Sequence, residues 1–366
     1  MVDYVEGEAE SPSDFLQDLL IAHQVGILRV ANGTTRSVVK QMNETEDEFI
    51  VKILAALQGL GTITASNFIR NQPKVERVIR DLSRERMKSW EETQTLINKE
   101  MVALALWEAT WQNKAVKRAL KEGTEAGRKT PFREFLFPES AAERLVKRTP
   151  IRGKTLGTWT NLLAENDIGQ VAETIRQGLK DSLPASEITD AIRGTPARDF
   201  EDGISSRLRD KVDGVVKTAS VETTQSVREQ VWVKNKKRIS GVVWTAVLDT
   251  KTSEICRGLD AHVAPLFGME DTLDPKLPRL NPPDRRPPAH FRCRSMMSAI
   301  VDGRLPRETT YEEWLLKQPK DVQKDVLGPR RFRMLDTGTL DFKKLFDGPT
   351  GRPLTLKELK VRENFD

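Results

Sequence analysis

Apolar residues in this chain recur mostly at steps of three, four and seven, the spacing that lines one face of an α-helix. From Ser13 onward, FLQDLLIAHQVGILRV places Phe15, Leu19, Leu20, His23 and Leu28 near that spacing. The segment EDEFIVKILAALQGL predicts a second helix, which stops at Gly59 and Gly61. Pro73 opens the longest run, where Val75, Ile79, Leu82, Arg86, Trp90, Ile97, Met101, Leu104 and Trp111 share one stripe. Neither proline nor glycine interrupts it before Gly123. The pattern predicts a helix over about 74–122, of about 49 residues and about 75 Å. Such a rod must cover its stripe, in an internal bundle or a coiled-coil interface.

Two prolines in GRKTPFREFLFPES (127–140) break the pattern and place a boundary near 125–150. Leu156, Trp159, Leu162 and Leu163 begin a series of shorter helices. SLPASEITDAIRG reads as a helix entered through Ser182 or Ser186 and stopped by Gly194. Residues 204–238 read as a long helix ending in Lys234, Asn235, Lys236, Lys237 and Arg238, bases that suit the negative end of a helix dipole. The period then changes. GVVWTAVLD (241–249) is β-branched and reads as a strand, with RSMMSAIV (294–301) as its partner.

The predicted fold class is α+β and predominantly α-helical: a long-helix N-terminal region, then a small α/β domain with a short antiparallel strand pair. The boundaries are a flexible acidic tail over 1–13, a helical domain over 14–125, a linker over 126–150, an α/β domain over 151–305 and a helical C-terminal segment over 306–366. A chain of 366 residues carries about two or three domains. Hydrophobic content of 38%, charged content of 31% and a mean hydropathy of −0.50 suit extended, solvated helices. The acidic start, MVDYVEGEAESPSD, lacks the basic-then-apolar order of a signal peptide, and no apolar run approaches a membrane span. A net charge of +5 favours anionic partners only mildly, because 54 acids accompany 59 bases.

The soft ligands are not spread evenly. The chain has three histidines and two cysteines, and four of these five residues, Cys256, His262, His290 and Cys293, fall within one stretch. The H-x2-C end has the spacing of a zinc half-site, so all four are candidate ligands of a structural zinc. Plain burial of both thiols, with His290 bonded to the backbone, is the leading reading, ahead of zinc. A catalytic thiol or histidine and a disulfide complete the set. Residues 275–288 of the connection hold six prolines (Pro275, Pro278, Pro282, Pro283, Pro287 and Pro288), which limit the entropy lost when its ends meet. Around it sit Lys276, Arg279, Arg285, Arg286, Arg292 and Arg294, opposed between 276 and 294 only by Asp284. Arg292, Arg286, Arg285, Arg279 and Lys276, with Lys234, Lys236, Lys237 and Arg238, are candidate contacts to nucleic acid or an acidic partner. With Phe291 as the local aromatic, such contact reads backbone charge rather than sequence. Asp249, Glu254 and Asp260 could join His290 in a hydrolytic site, but acids at strand ends are commonly caps.

VVWTAVLDTKTSEICRGLDAHV, followed by PPAHFRCRS, resembles the signature of the phage head morphogenesis family, the Mu F-like minor head proteins. The matching residues are Trp244, Asp249, Thr252, Ser253, Cys256, Leu259, Pro287, Pro288, His290, Cys293 and Arg294. TTYEEWLLKQPKDVQKDVLGPRRFRML and GPTGRPLTLKELK resemble the ending of that group, and Thr310–Glu313 and Thr355–Glu358 are capping boxes. Many relatives close the motif with Cys-Arg-Cys, whereas this chain has Cys293-Arg294-Ser295. That departure counts against a four-cysteine metal scheme. The resemblance makes 151–305 the morphogenesis domain of a minor capsid protein of a tailed bacteriophage. It implies a virion protein of the head interior or portal vertex, assembled in the host cytoplasm. Its partners would be the portal protein, capsid or scaffold components and DNA, with roles in procapsid assembly, DNA packaging or DNA ejection and no enzyme activity. The alternative function is a metal-dependent nuclease or toxin-like hydrolase built on the His/Cys cluster.

Overall fold

The computed structural model describes residues 11–121, 130–246, 253–306 and 316–338. They form a predominantly helical α+β fold. The helices are α1 (Pro12–Gly59), α2 (Phe68–Lys121), α3 (Glu139–Arg148), α4 (Leu156–Lys180), α5 (Ala185–Arg193), α6 (Ile204–Lys234), α7 (Glu254–Leu259), α8 (Lys320–Leu327) and α9 (Pro329–Asp336). The strands are β1 (Ile239–Thr245), β2 (Val263–Ala264) and β3 (Met296–Val301).

The apolar stripe holds along α2, where Val75, Ile79, Leu82, Arg86, Trp90, Ile97, Met101 and Leu104 are all buried. The helix begins six residues earlier than the pattern suggests, with Pro73 in its second turn. The two helices expected before residue 61 are one, because Gly26 and Gly33 are carried inside α1 without a break. Ser182 and Ser186 do not cap α5, whose N-cap is Pro184 without a side-chain bond. Ser182 instead has φ of 62° and accepts a hydrogen bond from the Ala65 N–H. Gly194 does end α5, at φ of 98°. The expected linker contains α3, and Arg133 and Phe135 donate backbone N–H bonds to Asn235 and Asn113. The acidic tail up to residue 10, Asp249, Thr252 and both T-x-x-E boxes lie outside the described residues.

The sheet has the order β2-β1-β3, antiparallel throughout. The expected strand pair is β1 with β3, in a register that sets Val242 opposite Ala299 and Trp244 opposite Met297. Gly241 sits where β1 meets β2, and a Cβ there would lie 2.7 Å from the Ala264 carbonyl oxygen.

By contacts, the chain divides into two compact units, each assembled from separated segments rather than from consecutive domains. The first comprises the described residues of Met1–Arg29, Ala105–Pro138 and Val221–Asp366. The second comprises Val30–Leu104 and Glu139–Ser220. The consecutive division near 125–150 therefore does not describe the compact units. The first unit's core joins Leu16 and Leu20 of α1, Val116 and Ala119 of α2, and Trp232 of α6 to Trp244 and Met297 of the sheet. Ser13 pins α1 to the strand by accepting the Val301 N–H at 2.8 Å and donating to the Arg304 carbonyl at 2.6 Å.

Each unit also holds a buried ion cluster. In the first, Glu108 accepts from Arg228 Nε at 2.6 Å, from His23 Nε2 at 2.6 Å and from Gln112 at 3.0 Å. The His23 ring stacks on Trp111, with centroids 3.6 Å apart. Burial lowers the His23 pKa, so the neutral ring donates a hydrogen bond rather than forming an ion pair. In the second, Arg86 bonds Asp167 and Glu46, both at 2.6 Å. Trp90 donates to Asp167, and Ser205 donates to Glu46.

Candidate metal centre

The first unit's sheet positions the cysteines. β1 ends as the Ala246 N–H donates to Asp260 Oδ1 at 2.7 Å, so Asp260 is a cap at the strand end. Ser253 then accepts the Cys256 N–H at 3.2 Å. That is the N-cap bond of α7, and it orients the turn that carries Cys256. The chain returns through β2, where Trp244 donates its N–H to the His262 carbonyl at 2.8 Å.

The proline-rich connection is anchored at several points. Val263 donates to Pro278 O and accepts from Leu280, extending the sheet edge. Arg286 gives two bonds to Glu229 of α6, at 2.7 and 2.8 Å, and one to the Pro265 carbonyl. Pro287, Pro288 and Ala289 are buried. A turn follows, closed by the Cys293 N–H on the His290 carbonyl at 3.2 Å, with Arg292 at φ of 59°. It presents His290 and Cys293 together at the entry to β3.

Three of the four expected ligands meet. Cys256 Sγ lies 3.6 Å from Cys293 Sγ and 3.3 Å from His290 Nε2. The three donor atoms all lie within 4.8 Å of one another. Both cysteines are free thiols, 1% exposed, while His290 is half-buried. His262 stands apart, with its Nδ1 3.1 Å from the Asp260 carbonyl oxygen. Its carbonyl accepts the Trp244 N–H just before β2, and it is not among the three residues whose donor atoms converge. Sequence spacing does not separate the two histidines.

The two sulfurs share a proton unequally. The hydrogen bond from Cys293 holds the Cys256 thiol down at about 5, helped by Ser253, Ser295 and His290 against the effect of burial. The same bond, with burial and the Cys256 charge, pushes Cys293 well up. The first proton leaves the pair readily and the second with difficulty. Ser295, two residues after Cys293, touches the site through its hydroxyl. Arg294 is half-buried, and its carbonyl accepts from Gln24 of α1.

The expected basic patch is partly neutralised in three dimensions. Arg238 is buried and doubly bonded to Asp302, Arg279 pairs with Asp271, and Arg286 with Glu229. These acids lie outside the 276–294 window in which only Asp284 opposed the bases. Lys234, Lys236, Lys237, Lys276 and Arg292 are exposed, and Arg285 is half-buried. The residues missed in the sequence are the distant partners Glu229, Gln24 and Gln225, whose Oε1 accepts the Met297 N–H at 3.2 Å. Their polar character on a helix face was the available signal, without any indication of partner.

Fold and site together define a predominantly helical α+β protein whose small sheet carries a two-thiol, one-imidazole centre. No family model, curated protein or solved structure matches the chain.

Proposed function

We propose that this chain is a minor head morphogenesis protein of a tailed bacteriophage, acting near the portal in procapsid assembly. The supporting observation is the convergence of the resemblance motif. Trp244, Ser253, Cys256, His290 and Cys293 span about fifty positions, yet the core and the contacts of Cys256 bring them together beside the sheet. A motif whose members stabilise a sheet edge suits an assembly module. The hydrolase alternative is weakened because Asp260 is spent as a strand cap and Cys256 and Cys293 are buried. No described helix is long and apolar enough to cross a membrane.

In this reading the portal, capsid and scaffold components are the partners, and the site of action is the virion head or the assembling procapsid. The exposed Lys234, Lys236, Lys237, Lys276 and Arg292 would add a sequence-independent hold on DNA phosphates or an acidic partner. The test is quantitative mass spectrometry of purified procapsids and mature particles, counting this chain against the portal subunit. A few copies per particle support the reading. Absence from both particle types overturns it.

A further inference from the structure

We infer that Cys256, Cys293 and His290 bind one divalent cation of the zinc class, through both sulfurs and His290 Nε2. The spacing fits an ion. Tetrahedral zinc, at about 2.3 Å from sulfur and about 2.0 Å from nitrogen, holds its donors about 3.8 Å apart for S···S and about 3.5 Å apart for S···N. The observed separations are 3.6 and 3.3 Å. The two Cys256 separations need shifts of about 0.2 Å to seat the ion, and the Cys293–His290 side of the triangle, within 4.8 Å, closes to about 3.5 Å around it.

The imidazole is also set for ligation. His290 Nδ1 lies 2.8 Å from the Phe291 carbonyl oxygen. A carbonyl only accepts, so Nδ1 is the donor nitrogen there, and Nε2 is the nitrogen that faces the sulfurs. Two sulfurs and an imidazole nitrogen thus converge. Two thiols with an imidazole select a borderline-soft ion over magnesium or calcium. Three protein donors leave one coordination position for water.

The scaffold would hold the donors whether or not the ion is present. Ser253 caps the turn bearing Cys256, and the Cys293 N–H closes the turn bearing His290. The ion would join positions 34 and 37 residues apart, stapling the proline-rich connection to the sheet. Closing a loop of that length removes conformational entropy from the unfolded chain.

The experiment is a titration of the full-length chain, reduced and stripped with a chelator, with Co2+ and then Zn2+. One Co2+ per chain is expected, giving a thiolate-to-cobalt charge-transfer band and the intense visible bands of a four-coordinate ion, both lost on adding one equivalent of Zn2+. Cys293→Ser and His290→Ala should each weaken binding at least tenfold, while His262→Ala leaves the titration unchanged. The reduced wild-type chain decides the matter even if a variant fails to fold. Absence of the charge-transfer band on it overturns the site, as does a band that survives removal of both cysteines. Metal binding and particle association can fail separately: a chain that binds Co2+ but is absent from particles retracts only the assembly role.

Discussion

At the residue scale, the buried Glu108 and the half-buried Glu222 carry opposite chemistry. Glu108 is fully buried, yet Arg228 and His23 hold its pKa down at about 2 against the penalty of burial. Glu108→Ala strands the Arg228 guanidinium, itself 1% exposed, without its carboxylate. The expected loss is about 3–5 kcal/mol, read as a lowered urea midpoint. Glu222 has no such cation. Burial, reinforced by Glu229 and opposed by a Ser226 hydrogen bond, raises it to about 7. The folded state therefore keeps this proton at pH values where the unfolded chain has released it. Its stabilising contribution is full below the ordinary glutamate pKa, declines as pH rises toward 7, and is absent above. Glu222→Gln should leave stability near pH 4 unchanged and raise it at pH 8 by roughly 2–3 kcal/mol. His23 works in the opposite sense, because its lowered pKa costs stability as pH falls below 6.5. Comparing variant with wild type across the pH range isolates the Glu222 contribution.

At the element scale, periodicity carried the helices further than capping chemistry did. The α2 stripe was readable because burial every three or four residues leaves the same residue types at the same intervals. Its polar members, Arg86 and Glu108, were not explained by that pattern. Each sits in the stripe because a partner from another element meets it there. Ser182 shows the converse: a good capping residue whose hydroxyl accepts from a distant N–H. The strand pair was legible from β-branched composition, whereas the two-residue β2 was too short to leave a pattern. Gly241 depends on that unseen strand. Gly241→Ala would press a methyl against the Ala264 carbonyl and the Leu273 side chain. A loss of about 1–3 kcal/mol is expected, measured by thermal or denaturant unfolding.

At the scale of the whole chain, the compact units are not consecutive segments. The first unit takes residues from three stretches of the chain, and its core needs Leu16, Leu20, Val116 and Ala119 beside Trp244 and Met297. A fragment covering 151–366 lacks those helix faces and exposes the apolar side of the sheet. It should show neither the dispersed amide spectrum nor the protease resistance of the intact chain. A well-dispersed spectrum from that fragment would show that the α1 and α2 contributions are dispensable.

The sequence by itself determined the helical class, the stripe of α2, the β1–β3 pair and the grouping of soft ligands, because each follows from local period or composition. Tertiary structure alone decided that His262 leaves the cluster, that Glu229, Asp271 and Asp302 neutralise the arginines, and that the units interleave along the chain. Those outcomes depend on which side chains meet across tens to hundreds of positions. Backbone pairing and burial choose the partners, and a linear window contains only one member of each pair.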